Sequence, residues 1–132
     1  MKIYYAHHVW KYDTPIENFE IKCIERQFKD AVIVNPRTTI PQDQPENVIL
    51  DYAYKALDDC EAIVFSTFSG MIGHGVFNEI IYAFNAGKKV YQLDGTECIE
   101  IRSYTDFIKH GIRDFIFRGD NRMYAVVNSP CW

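Results

Sequence analysis

Four short apolar runs, at residues 2–6, 31–35, 62–66 and 89–93, alternate with segments whose apolar residues recur at helical spacing. That alternation constrains the fold more than anything else in the chain. A strand, a helix and a second strand close into a parallel pair with a right-handed crossover, so a chain repeating this unit builds a mainly parallel sheet. The expected architecture is α/β: a three-layer Rossmann-like (flavodoxin-like) sandwich with a mainly parallel sheet and an irregular C-terminal hairpin. Ile3, Tyr5, Ile33, Val64 and Val90 are its expected core residues.

The punctuation between the runs supports this reading. Thr14, Pro15 and Glu17 supply an N-cap, a proline at the first helical position and a capping-box acid, opening a helix with Ile16, Phe19, Cys23, Ile24 and Phe28 on one face. Pro36 stops the second strand, and residues 36–46, which include Pro36, Pro41 and Pro45, read as a loop over the sheet edge that can act as a lid. Residues 46–57 and 76–86 are helical in pattern, the second closed by Gly87 in the left-handed conformation. Ser103 and Asp106 form a second capping box before a short helix ending at Gly111. Residues 115–127 read as two strands around a Gly119, Asp120 and Asn121 turn. No repeat, linker or low-complexity segment divides the chain, so residues 1–132 are read as a single domain.

Composition excludes several functions. A net charge of -4, with 14 Lys and Arg scattered along the chain, argues against duplex nucleic acid as a partner. No apolar run approaches the roughly 18 residues of a membrane span. Cys23, Cys60, Cys98 and Cys131 lie far apart with no C-x-x-C pair, and the N-terminus reads as a strand, which together point to the reducing cytoplasm. With 15% aromatic residues the chain holds more apolar side chains than one small sandwich readily hides, so a homo-oligomer is expected.

The chemistry is concentrated between Gly73 and Val90. An apolar run leads into Gly73, His74 and Gly75, and Glu79 then stands in what reads as the first turn of a helix. Open α/β sheets bind their ligands at this carboxyl edge. A phosphate-cradling loop has no use for an acid there, so Glu79 is read as a working carboxylate, the alternative being a residue that only complements the helix dipole. The adjacent His7 and His8 lack a partner at metal-ligand spacing, so neither a metal nor another cofactor is expected. His110, before Gly111, reads as a helix C-terminal residue favoured by the dipole.

These elements resemble the nucleoside 2-deoxyribosyltransferases and the related nucleotide N-glycoside hydrolases over roughly residues 1–93. The resemblance rests on a tyrosine-bearing first strand, on Asp51 and Asp59 running into an apolar strand, and on Gly75, Glu79 and Ala83 followed by Gly87, Lys88 and Val90. It implies that Glu79 is the nucleophile at the anomeric carbon, where a carboxylate stabilises oxocarbenium character and can trap it as an ester. It also implies that Asp51 assists the base, although Asp51 reads equally as a solvated helix residue. Tyr4 or Tyr5 matches the tyrosine that holds the nucleophile. Only one can face the site, because neighbouring strand residues point to opposite faces. Tyr5 is the catalytic candidate and Tyr4 a substrate contact. The other implied contacts are Ala6, His7, His8, Ser69, Gly70, Gly73, His74, Gly75 and Asn128, with Asn128 or Trp132 reaching a neighbouring subunit's site. The chain departs from the transferases at Gly73, where they carry an aspartate, and at Phe77, where they carry a glycine that gives the sugar room.

The expected function is cleavage or transfer of the N-glycosidic bond of a nucleoside or nucleotide, a small-molecule partner. Two rivals stand beside it: a module that binds a nucleotide without turnover, and a flavodoxin-like domain that binds a protein partner.

Overall fold

Strand β1 (Lys2–Ala6) sends alternate side chains into two separate clusters, and the rest of the molecule is arranged about that division. The computed structural model describes residues 1–110, 113–116 and 122–126. After β1 come a 3-10 turn (Val9–Lys11), α1 (Pro15–Gln27), β2 (Val32–Val34), α2 (Pro36–Thr39), α3 (Glu46–Asp58), β3 (Ala62–Phe65), β4 (Met71–Gly73), α4 (His74–Asn85), β5 (Lys89–Asp94), β6 (Glu97–Ile101), α5 (Tyr104–His110), β7 (Arg113–Ile116) and β8 (Arg122–Ala125).

The protein is α/β with a five-stranded sheet in the order β2-β1-β3-β5-β6 and a small antiparallel sheet in the order β4-β8-β7. The first four strands of the large sheet run parallel, as the alternating runs require, and β6 is antiparallel to β5. Tyr4, Ala6, Ile63, Phe65 and Val90 pack with Ala53 and Leu57 of α3 and with Ile80 and Ala83 of α4. Ile3, Tyr5, Ala62, Val64 and Leu93 pack with Cys23 and Ile24 of α1. Of the expected core residues, Ile3, Tyr5, Val64 and Val90 are buried, and Ile33 on the outer strand β2 is half-buried.

Four local expectations are corrected. Ile16 and Phe19 do not lie on the inner face of α1: they are 54% and 53% exposed, whereas Glu17 and Glu20 are buried. The helix is turned so that Glu17, Glu20 and Ile24 face inward at helical spacing, because His7, Lys11 and Tyr5 offer the partners that buried carboxylates need. The glycine turn before α4 is also absent. β4 pairs with β8 and passes directly into the helix at its N-cap, Gly73, so Glu79 is the sixth residue of α4 and stands in its second turn.

The tight turn lies earlier, at Ser69 and Gly70, whose φ values of 51° and 76° both fall in the left-handed region. Phe68 and Met71 exchange backbone hydrogen bonds across it at 2.8 and 3.0 Å, as in a two-residue hairpin. Finally, residues 36–46 are not wholly irregular. Asn35 accepts from the Arg37 amide at 3.0 Å and starts the single turn of α2.

Strand β6 was not expected, although Asp94 and Gly95, with Gly95 at φ 63°, are a recognised hairpin signal. The Gly87 stop is as expected: φ is 72°, and the Gly87 and Lys88 amides bond to Phe84 and Ala83 at 3.0 and 2.9 Å, the pattern of a Schellman cap. The two C-terminal strands pair antiparallel. The turn expected at residues 119–121, and Gly111 at the end of α5, lie outside the described residues.

Candidate functional site

The C-terminal ends of β1 and β2 border a cavity of about 770 Å³ whose lining also includes residues of α3, of the start of α4 and of the segment 36–46. Its floor is Glu79. Helix α4 buries Val76, Glu79, Ile80 and Ala83, at i, i+3, i+4 and i+7, so one carboxylate sits inside an otherwise apolar stripe. Glu79 is 8% exposed, and burial pushes its pKa up to about 7, with a hydrogen bond from Tyr4 acting the other way. The Tyr4 hydroxyl donates to Glu79 Oε2, and the other oxygen accepts from none of the described residues. Burial, then the charge of Glu79 and this bond, raise the Tyr4 pKa, so Tyr4 remains a donor.

Tyr5 is therefore not the tyrosine of this site. It points to the opposite face, where its hydroxyl donates to Glu20 at 2.5 Å, and it is Tyr4 that meets Glu79. Asp51 does not converge either. Glu46, Ile49, Leu50 and Ala53 form the stripe of α3 that lines the cavity, and Asp51 is exposed on another side of the helix. Ala6 is fully buried in the core, and Ser69 and Gly70 form the hairpin turn, so none of the three lines the cavity. His7, His8, Gly73, His74 and Gly75 do line it. Asn128 and Trp132 lie outside the described residues.

The histidines differ in what they can offer. His7 Nδ1 donates to the Tyr5 carbonyl at 3.1 Å and Nε2 lies 2.7 Å from Glu17 Oε2, so both ring nitrogens are engaged. A carbonyl can only accept, which places a proton on Nδ1, and the contact to Glu17 needs a second, shared proton. Burial lowers the His7 pKa against the pull of these partners. Burial likewise opposes ionisation of Glu17, but His7, the Asp13 amide and Arg37 together hold its carboxyl below the usual range. His8 Nδ1 accepts from the Trp10 amide at 3.1 Å, and burial, with Lys11 and His7 nearby, lowers its pKa. Its ring lies close to Gly73: a Cβ there would stand 3.3 Å from His8 Cδ2, a tight contact that the ring would have to relieve by a small shift.

Sequence reasoning missed Trp10, Tyr12, Ile40, Gln42, Gln44 and Glu46, all of which line the cavity. Aromatics in a short segment just after the first strand were the available signal for Trp10 and Tyr12. Tyr12 stands close enough that, after burial, the charge of Glu79 is the next cause raising its pKa. Among the described residues no group of three or more His, Cys, Asp or Glu is placed to hold a metal, and no helix is long and apolar enough to cross a membrane. The chain matches no protein-family model and no curated protein.

Proposed function

We propose that this chain is an N-glycosidase or deoxyribosyltransferase-like enzyme acting on a nucleoside, built as a three-layer Rossmann-like sandwich with Glu79 as nucleophile and Tyr4 as the residue that holds it. The observation that carries the reading is the hydrogen bond from Tyr4 to a buried Glu79 that lines the cavity and whose second oxygen accepts from none of the described residues. A carboxylate so placed can attack an anomeric carbon, and a pKa near 7 leaves a large share of it ionised at neutral pH. The resemblance to the nucleoside 2-deoxyribosyltransferases supports the same assignment, now through Tyr4.

The test is base release from a panel of nucleosides and nucleotides, followed by chromatography, with wild type and Glu79→Gln. Release by wild type and its loss in the variant support the proposal; equal release by both removes Glu79 from the mechanism.

A second reading, a binding module without turnover, is favoured by Gly73 in place of the transferases' aspartate and by the position of Asp51 away from the cavity. Tight nucleotide binding with no base released from any substrate would select it. Buried free thiols at Cys23, Cys60 and Cys98 support a cytoplasmic setting, and exposed Ile16 and Phe19 support a homo-oligomer.

A further inference from the structure

The charge around the cavity distinguishes among nucleosides. Glu79 lies at its floor and Glu46 on its wall, and no Lys or Arg of the described residues lines it. The cations nearby are committed elsewhere. Lys11 Nζ donates to Glu20, Ser66 and the Thr67 carbonyl at 2.9, 3.0 and 2.6 Å, and Arg37 Nε donates to Glu17 at 2.7 Å. The first turn of α4 borders the cavity and favours an anion, but a helix end supplies only about half a positive charge against two carboxylates. A phosphate carrying about -1.5 to -2 is poorly served there. A cation is well served. Trp10, 57% exposed on the cavity wall, packs with His8 and Phe68 at ring-centroid distances of 4.7 and 5.3 Å, and an indole face is the best aromatic partner for a positive charge.

The leaving group leads to the same class. A neutral base must be protonated as it departs, yet Asp51 is off the cavity and His7 is bonded at both nitrogens. Burial raises the pKa of Tyr4 and of Tyr12 and lowers that of His8, which suits none of the three to protonating a departing base; His74 and Glu46 also line the cavity, and a pH profile tests them. A base that is already cationic needs no proton.

We propose that the substrate of this site is an unphosphorylated nucleoside with a positively charged base, an N-alkylated purine or an N-ribosylated pyridinium, an inference that rests on the glycosidic activity proposed above. Glu79 forms a bond to the anomeric carbon as the carbon–nitrogen bond breaks, and the bonding pair stays on the base nitrogen, so the base leaves neutral. Water then attacks the anomeric carbon, the Glu79 carboxylate departs, and the water's proton passes to solvent. Each turnover consumes one water and releases base, free sugar and one proton.

The experiment compares base release from 7-methylguanosine, guanosine, nicotinamide riboside and its 5′-phosphate, with each kcat divided by that compound's own uncatalysed rate. Without a positioned acid, guanosine forfeits what such a group contributes, about 10²-fold or more. The expected result is at least that ratio in favour of 7-methylguanosine, a lower kcat/KM when nicotinamide riboside is phosphorylated, and no alkaline fall up to pH 9 in kcat/KM for nicotinamide riboside, whose base keeps its charge throughout. Equal acceleration of guanosine, a gain on phosphorylation, or an alkaline limb that reveals an acid on His74 or elsewhere would overturn this inference and leave the glycosidase reading intact. Release of no base from any of the four overturns this inference, and the wider panel of nucleosides and nucleotides decides the glycosidase reading separately.

Discussion

The two faces of β1 carry the same pair, a tyrosine hydroxyl donating to a helix glutamate, in opposite surroundings. Tyr4 meets Glu79 of α4 at the cavity, and Tyr5 meets Glu20 of α1 beneath the other face. The glutamates are equally buried, at 8% and 9% exposure, so burial does not separate them. Their partners do. Glu20 also accepts from Lys11 and Ser66, at 2.9 and 2.8 Å, so a cation balances its charge and every neighbour is fixed. Glu79 has Tyr4 alone among the described residues, and its pKa stands near 7. A buried carboxylate given a cation becomes part of the framework, whereas one given only a hydroxyl and an open cavity remains available for chemistry.

The sharpest way to break this comparison is to neutralise the cavity acid. Glu79→Gln is expected to lower turnover by about 10³-fold or more, or about 4 kcal/mol on the barrier. Its effect on stability has the opposite sign. The Glu79 pKa is raised from 4.5 to about 7 in the folded protein, so the folded state keeps a proton that the unfolded state releases across that window. Wild type therefore loses stability as pH rises from 4.5 to 7, by up to about 3 kcal/mol, and the variant lacks that loss. Thermal melts of both proteins between pH 4 and 8 check this; identical slopes would count against a buried, unpaired Glu79.

Glu20→Ala should reverse the pattern. Truncation strands Lys11 without its carboxylate, at an expected 3–5 kcal/mol of stability by the usual magnitude of about that size for a broken buried pair. The surviving folded protein should keep most of its base release. Urea unfolding measures the first effect, and a midpoint equal to wild type would dissolve the contrast between the faces.

Tyr4→Phe affects activity less than Glu79→Gln. Removing a hydrogen bond to a charged acceptor is worth about 1.5–3 kcal/mol, or about 10–100-fold in rate at pH 7. Because that bond lowers the Glu79 pKa, its loss should also move the alkaline rise of the pH–rate profile above pH 7. Tyr5→Phe should leave the profile in place, and a shift in both variants would mean that the faces are coupled. The smallest effect is expected at Asp51. Exposed and off the cavity stripe, it should tolerate Asp51→Asn within about 0.5 kcal/mol in stability and about 2-fold in turnover. A large loss of turnover would restore it as a base-assisting residue.

The parallel sheet was legible because strand and helix periods differ, and apolar runs at 2–6, 62–66 and 89–93 carry one period while residues 46–57 and 76–86 carry the other. The stop at Gly87 was legible because left-handed backbone selects glycine. Glu79 was visible as the acid that follows Gly73, His74 and Gly75, although it stands in the second turn of α4 rather than the first. The inward face of α1 was misread because Ile16 and Phe19 share a helical stripe with Cys23, and nothing local announces that Lys11 and His7 will meet Glu20 and Glu17.

Sequence alone thus determined what depends on neighbours in the chain: the four parallel strands with the helices between them, several caps and stops, and the candidacy of one glutamate. Tertiary structure decided which of two adjacent tyrosines reaches that glutamate, since a strand's alternation guarantees opposite faces without saying which face holds the cavity. It also decided that Asp51 stays in solvent and that Glu17 and Glu20 are buried. Those outcomes rest on contacts between residues distant in the chain, up to 75 positions for Tyr4 and Glu79, and the balance of desolvation against partners is settled only once those residues meet.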